Sequence, residues 1–452
     1  MIEPYYNDKR RGFHRKLEGD LKMSAVSVDV GHAVDANAMR RKAIIATVLG
    51  NGFEWFDFMV YGFFAIIIGK LFFPTGDDLT SLMLSAATFG VGFLVRPIGG
   101  VLIGIYSDRY GRKGALSLTI ILMGVGTAMI GLAPTYEQAG LLAPCIIVFA
   151  RLLQGVSAGG EMGAATAYLT EQAPEGKKAY YSSWIQTSIG FAVLLGACFG
   201  TGITLGLSPE EVESWGWRIP FLFGILIGPI GYFIRRNLHE SPVFEESSDL
   251  TETPLRDVLR DYPWQAVASF SMIVLWTVCI YVILFYMPTY SVKVLKLPQS
   301  ASFIAAMVGG GVITLCSPIT GWISDKIGRK YLLVGASASM LLLAWPMFNM
   351  IASAPSLYTL CVFQAVFGVL IAVYTGPILA ALSETFPAKV LSTGLSLAYN
   401  LAVMTFGGFA SLILTWLISA TGTVTAPAFY VMIAAAFSLV GVMFGYRQPG
   451  RR

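Results

Sequence analysis

Twelve long apolar runs, separated by short polar stretches, fill almost the whole chain between residues 43 and 446. They lie at about 43–69, 82–107, 115–133, 142–170, 182–206, 218–235, 265–290, 301–324, 331–352, 356–385, 390–420 and 427–446. As tilted α-helices, each can cross about 30 Å of hydrocarbon. Two polar segments are long. Residues 1–42 are basic, have no apolar core of signal-peptide length, and are expected to form a cytoplasmic tail. Residues 236–263 join runs six and seven and are rich in acids, including Glu240, Glu245, Glu246, Asp249 and Glu252. This segment is expected to be a cytoplasmic linker, with a short amphipathic helix around Leu255–Leu259. It divides the runs into a half at 43–235 and a half at 264–446, leaving 447–452 as a short C-terminus.

Composition narrows the class. Of 452 residues, 55% are hydrophobic and 13% charged, where a soluble domain carries about 25% charged residues. The pattern predicts an all-α polytopic membrane protein with twelve transmembrane helices. Net charge is only +4, so placement matters more than balance. With both termini inside, 25 of the 31 Lys and Arg residues fall on the cytoplasmic side and four outside (Lys70, Arg218, Lys293, Lys296). The five cysteines all lie in apolar runs and the three histidines all lie outside them. No metal or disulfide spacing results, and no cofactor or metal is expected.

A repeat organises the chain. Gly104-Ile-Tyr-Ser-Asp108-Arg109-Tyr-Gly111-Arg112-Lys113 returns as Gly321-Trp-Ile-Ser-Asp325-Lys-Ile-Gly328-Arg329-Lys330, 217 residues later. Leu169-Thr-Glu171-Gln-Ala-Pro174 returns as Leu382-Ser-Glu384-Thr-Phe-Pro387 at an offset of 213. Two homologous membrane halves are thus fused. Asp108, Arg109, Arg112, Glu171, Asp325, Arg329 and Glu384 are expected to be gate and scaffold residues. On this alignment Arg151 of the first half faces Gln364 of the second.

The halves differ in buried charge. Glu54 and Asp57 lie within span one, Arg96 within span two, and Arg151 and Glu161 within span four. Spans seven to twelve have essentially none away from their ends. A charge at mid-bilayer costs at least about 2.5–3.5 kcal/mol, so five point to function. At 1.5 Å per residue, Glu54 and Asp57 lie about 16 and 21 Å from the cytoplasmic start of span one. Arg96 lies about 18 Å above the Asp108 turn, and Glu161 about 15 Å above Glu171. Arg151 is expected higher, toward the outer side. Glu54, Asp57 and Tyr61, at i, i+3 and i+7, share one helix face. At least one of Glu54, Asp57 and Glu161 is expected to carry a coupling proton; the sequence leaves open which. Arg96 and Arg151 are candidate anion ligands. Asn51, Tyr61, Gln186, Tyr281, Tyr374, Tyr399 and Asn400 are candidate neutral ligands. Tyr286 and Tyr290 are read either as cavity wall or as an outer aromatic belt.

The paired Gly-x-x-x-Asp-basic-x-Gly-Arg-Lys loops resemble the signature of the major facilitator superfamily. Arg151-Leu-Leu-Gln154-Gly155 resembles its second motif, in which an arginine is implicated in proton-coupled members. Glu54-Trp-Phe-Asp57-Phe58, Gly92-Phe-Leu-Val-Arg96-Pro-Ile-Gly-Gly100, Gly159-Gly-Glu161 and Trp215-Gly-Trp-Arg218-Ile-Pro-Phe221 are similar to the metabolite:proton symporter family. The likeness covers residues 43–446 and is strongest to the citrate and tricarballylate branch, through Ser81–Leu84, Thr88–Gly90, Ala150–Gly155 and Ser157–Gly159. It implies proton-coupled symport of a small organic acid at the inner membrane by a monomer, using alternating access of two halves. No nucleic-acid partner is expected. Met162, a short linker and a span five without a clear Gly-Pro-x-x-Gly-Gly pattern depart from the branch or its antiporter cousins. An osmolyte (proline or betaine) or shikimate symporter of the same fold is the first alternative. A membrane-embedded enzyme is the second, but no clustered nucleophiles, histidines or metal ligands lie inside the spans.

Overall fold

In the computed structural model the described residues are 44–45, 47–110, 112–171, 173–225, 229, 254–387 and 390–446; side chains of 104–117, 164, 167–168, 171 and 254 lie outside them. The expected N-terminal tail, most of the linker, most of span six and the C-terminus therefore fall outside the description. The described residues are helical throughout, without strands. Nine of these helices are long and apolar enough to cross a bilayer, ten counting one bent pair, and Leu118–Leu132 is a shorter apolar segment.

The first half comprises α1 (Thr47–Phe63), α2 (Ala65–Phe72), α3 (Asp78–Leu94), α4 (Arg96–Tyr110), α5 (Arg112–Leu132), α6 (Leu142–Ala158), α7 (Glu161–Glu171) and α8 (Lys178–Gly206), with 219–225 beginning the sixth span. The linker helix α9 (Pro254–Asp261) leads into the second half. That half comprises α10 (Pro263–Lys293), α11 (Gln299–Ile327), α12 (Arg329–Ser353), α13 (Leu357–Ser383), α14 (Leu391–Thr421) and α15 (Ala426–Gly445).

Three first-half spans are interrupted where the sequence reading drew continuous runs. Helices α1 and α2 meet at 64°, two residues after Gly62. Helices α3 and α4 part at Val95 because Pro97, lacking an N–H, fits only the first turn of a new helix. Helices α6 and α7 part at Gly159–Gly160. Glycine also sets the spacing here. A Cβ on Gly155 would overlap the Gly92 carbonyl, and one on Gly159 would overlap the Arg96 carbonyl. Backbone thus lies on backbone, which holds Arg96 and Arg151 on neighbouring helices.

In the second half, α10 loosens into a π-helix over Cys279–Tyr286. Pro288 offers no N–H to the carbonyl five residues back, that of Ile283. Gln364 on α13 fills the gap, donating from Nε2 to the Ile283 oxygen at 2.9 Å. Each remaining buried carbonyl needs a partner, and this one finds it on another helix.

The halves pack mainly through α8 against α11. There Gly310 lies against Gly190 and Leu194, and Gly321 against Ala179 and Ser183. The predicted linker helix is present as α9. Its Val258 is wholly buried against Phe386, Val390 and Leu391 at the α13–α14 turn.

Candidate functional site

Two charged centres lie inside the bundle. The first belongs to one half only. Asp57 on α1 accepts hydrogen bonds from Thr127 Oγ1 (2.7 Å) and Gln154 Nε2 (2.5 Å). Gln154 in turn accepts from Arg151 Nη1 at 2.7 Å, while that nitrogen stands 3.8 Å from the Asp57 carboxylate. The amide therefore sits between acid and base as a relay. Asp57 is 4% exposed and Arg151 1%. The guanidinium lies 3.7 Å from the Tyr61 ring centroid, a cation–π contact worth about 2 kcal/mol when desolvated. Arg151 Nε and Nη2 have no partner. A direct charge-assisted contact would be about 2.7–2.9 Å, so this arginine is only partly engaged.

The second centre spans both halves. Arg96, in the first turn of α4, lies 4.3 Å from the Phe93 ring and 4.9 Å from the Phe58 ring. Both Tyr399 of α14 and Tyr281 of α10 feel the charges of Arg96 and Glu54. Arg96 Nε and the Tyr281 hydroxyl have no partner. Asn400 donates from Nδ2 to the Gly159 carbonyl at 2.8 Å, which leaves its amide oxygen unpartnered. Around these groups runs an aromatic wall. Tyr281 stacks on Phe285 at 5.0 Å, Phe93 meets Tyr281 at 5.4 Å, and Phe89 meets Phe285 at 5.5 Å. Trp55 closes on Tyr281 at 6.3 Å, and Trp276 packs on Tyr399 at 5.3 Å.

At the linker end, Asp325 accepts the backbone N–H groups of Ala179 and Tyr180, at 3.0 and 2.9 Å. A carboxylate of one half thereby caps α8 of the other, which brings no side-chain cap of its own. Arg329 pairs with Glu384 at 2.8 Å and Asp325 at 3.4 Å, and the Tyr446 hydroxyl donates to Glu384 at 2.6 Å. The matching Asp108, Arg109, Arg112 and Glu171 side chains lie outside the described residues. At the far end Lys293 of α10 meets Asp78 of α3 at 3.2 Å, again across the halves.

Two expected ligands, Tyr374 and Asn51, are engaged elsewhere. The Tyr374 hydroxyl donates to the Met272 carbonyl inside the second half. Asn51 donates to Ser188 Oγ on α8 at 2.8 Å. Gln186 is buried with its Nε2 unpartnered. Glu161 opens α7 and is half-buried. Tyr286 and Tyr290 are buried, so neither forms an outer belt. Arg151 was expected nearer the outer side than Asp57, yet its long side chain brings the guanidinium to the Asp57 carboxylate. The shared face of Glu54, Asp57 and Tyr61 also divides. Asp57 and Tyr61 serve Arg151, while Glu54 serves the second centre. Thr127 and Tyr446 were not singled out from the sequence, Gln154 appeared only inside the Arg151 motif, and Gln364 only as the repeat counterpart of Arg151.

The Major Facilitator Superfamily profile matches residues 47–400. The chain belongs to the Major Facilitator Superfamily. This transporter is 38% identical over 416 residues to a citrate-proton symporter of Klebsiella pneumoniae, covering 91% of the chain and 93% of that protein. It is 33% identical over 419 residues to a proline/betaine transporter of Salmonella typhimurium, covering 88% and 82% respectively. Its fold superposes on the xylose transporter XylE from E. coli, in a partially occluded inward-open conformation, with a TM-score of 0.73 at 17% identity. That match covers 92% of the transporter and 99% of XylE. It is a multi-pass membrane protein of two six-helix halves.

Proposed function

We propose that the transporter takes up citrate, or a related tri- or dicarboxylate, together with protons across the bacterial inner membrane. Both termini face the cytoplasm, as the Lys and Arg placement favours, and one copy suffices for transport. The observation that carries this reading is the division of charge between the two centres. Arg96 lies where the halves meet; its Nε is unpartnered, and so is the hydroxyl of Tyr281, which feels the Arg96 charge. A substrate carboxylate placed there would touch both halves, which is what alternating access needs. Tyr399, Asn400 and Glu54 complete this binding centre.

Asp57 and Arg151 lie behind the aromatic wall in one half and serve the proton. With Asp57 ionised, Arg151 is held through Gln154 and Tyr61. Protonation of Asp57 removes the charge that holds the guanidinium, which then turns its free donors toward the substrate. Coupling is required on energetic grounds. A trianion entering alone against 100 mV, inside negative, would cost about 7 kcal/mol at about 2.3 kcal/mol per charge. Asp325, Arg329 and Glu384 close the cytoplasmic end, with Asp108, Arg109, Arg112 and Glu171 in the matching role.

A zwitterion is the second reading. Glu54 and Arg96 together present both signs of charge at the half–half interface, which suits proline or betaine. Uptake of labelled citrate, tricarballylate, 2-oxoglutarate, shikimate, proline and betaine into proteoliposomes decides between them. An imposed inward proton gradient should drive tricarboxylate accumulation, and an uncoupler should abolish it. Accumulation of betaine but not citrate would overturn the first reading; chemical change without accumulation would overturn transport.

A further inference from the structure

Helix α9 carries more apolar surface than the protein covers. Val258 is wholly buried on Phe386, Val390 and Leu391. Leu255 and Leu259, one turn apart on the neighbouring face, are 46% and 58% exposed. At about 100° per residue, these two leucines lie roughly 60–100° around the helix from Val258. Arg256 and Arg260 flank them on the side away from the protein, and Asp257 and Asp261 take the opposite face. Both arginines are exposed, and neither forms an ion pair with another described residue.

Position decides what meets this surface. Only Tyr262 separates α9 from Pro263, the first residue of the spanning helix α10. The exposed leucines therefore sit where α10 enters the bilayer. Trp264, in the first turn of α10, is 80% exposed, and Val267 one turn deeper is exposed as well. Tryptophan at this depth marks the headgroup layer, with its ring among the acyl ends and its N–H in water. The apolar strip is thus continuous from the lipid-facing wall of α10 onto α9.

We infer that α9 is an interfacial helix that docks on anionic phospholipid headgroups, with Leu255 and Leu259 dipping into the leaflet and Arg256 and Arg260 gripping phosphates. The order protein, leucines, arginines, acids around one helix is the order met on passing from the bundle to the leaflet to water. Each basic residue near such a surface adds roughly fivefold to the affinity. The grip reaches the end of the bundle directly, because Val258 seats on Phe386 and Glu384 lies two residues before it. Lipid charge would therefore steady the turn that holds Arg329.

Hydrogen exchange of the full chain in single-copy nanodiscs tests this without reference to any substrate. Discs of phosphatidylcholine alone are compared with discs of phosphatidylcholine and phosphatidylglycerol. Amides of residues 255–261 should exchange at least about fivefold more slowly in the anionic discs, with α12 unchanged as a folding control. R256Q/R260Q should lose that difference, R256K/R260K should keep it, and high salt should weaken it in the wild type. Equal exchange of the wild-type helix in both discs overturns the proposal. So does anionic protection that persists in R256Q/R260Q, or protection that appears only in discs holding two copies.

Discussion

The two halves solve one packing problem with different chemistry. In the first, Arg151 on the fourth span reaches toward a carboxylate on the first span. In the second, Gln364 at the aligned position reaches the Ile283 carbonyl on the seventh. Both side chains are buried and both brace the inner face of their half. In the neutral pair one donor meets the acceptor that Pro288 left open, although the Gln364 amide oxygen is itself unpartnered. In the charged pair two guanidinium nitrogens have no partner and the nearest ion contact is 3.8 Å. An unmade bond costs less on a neutral amide than on a buried charge, so the ion pair is the one with alternatives close in energy. The scaffold is symmetric and its buried charge is not.

That contrast can be broken most severely at Arg96. Arg96→Ala should abolish uptake, by at least 100-fold, while membrane abundance stays normal on immunoblots; normal uptake would remove Arg96 from the binding centre. Next comes Asp57→Asn. It should stop gradient-driven accumulation yet leave substrate exchange between two sides of equal pH, read as isotope counterflow. Arg151→Gln alone strands a buried carboxylate and should destabilise by about 3–5 kcal/mol, whereas Asp57→Asn/Arg151→Gln should recover much of it. A double-mutant cycle on thermal midpoints in detergent measures that coupling.

The neutral brace should yield less. Gln364→Ala leaves the Ile283 carbonyl unpaired and should lower stability by about 1–3 kcal/mol, with uptake reduced only a few-fold and its proton dependence unchanged. The smallest effect belongs to Asp77, which caps α3 by accepting Thr80 N at 2.9 Å and Thr80 Oγ1 at 2.7 Å. The Thr80 hydrogen bonds hold its carboxyl below the usual carboxylate range. A lowered folded-state pKa means a contribution that is full above the ordinary carboxylate range and lost as pH falls through the lowered one. Amides at the start of α3 should thus lose protection only under acid conditions, and Asp77→Ala should remove the pH dependence.

Much of the architecture was legible in residue order. Length and spacing of apolar runs gave the spans, the Gly-Asp-Gly-Arg-Lys repeat gave two halves, and five charges in apolar runs marked the half in which the Asp57–Arg151 pair is buried. Which acid meets which arginine was not legible. Residue counting placed Arg151 higher, whereas its guanidinium comes within 3.8 Å of the Asp57 carboxylate. Partners of neutral type were also hidden. A threonine such as Thr127 or a glutamine such as Gln154 is common in spans, and only the fold shows that these two hold Asp57. Tyr374 failed as a guide for the opposite reason: its hydroxyl is spent on a backbone carbonyl one helix away, as most buried tyrosines are.

The borrowed cap on α8 has a mechanical meaning. Its first turn has no stopper of its own and leans on Asp325 from across the divide. Parting the lobes at that end must strip the turn of its anion, a penalty of about 0.5–2 kcal/mol by the usual worth of such contacts. The contact therefore acts like a weak latch, favouring that end held together whether or not cargo is bound.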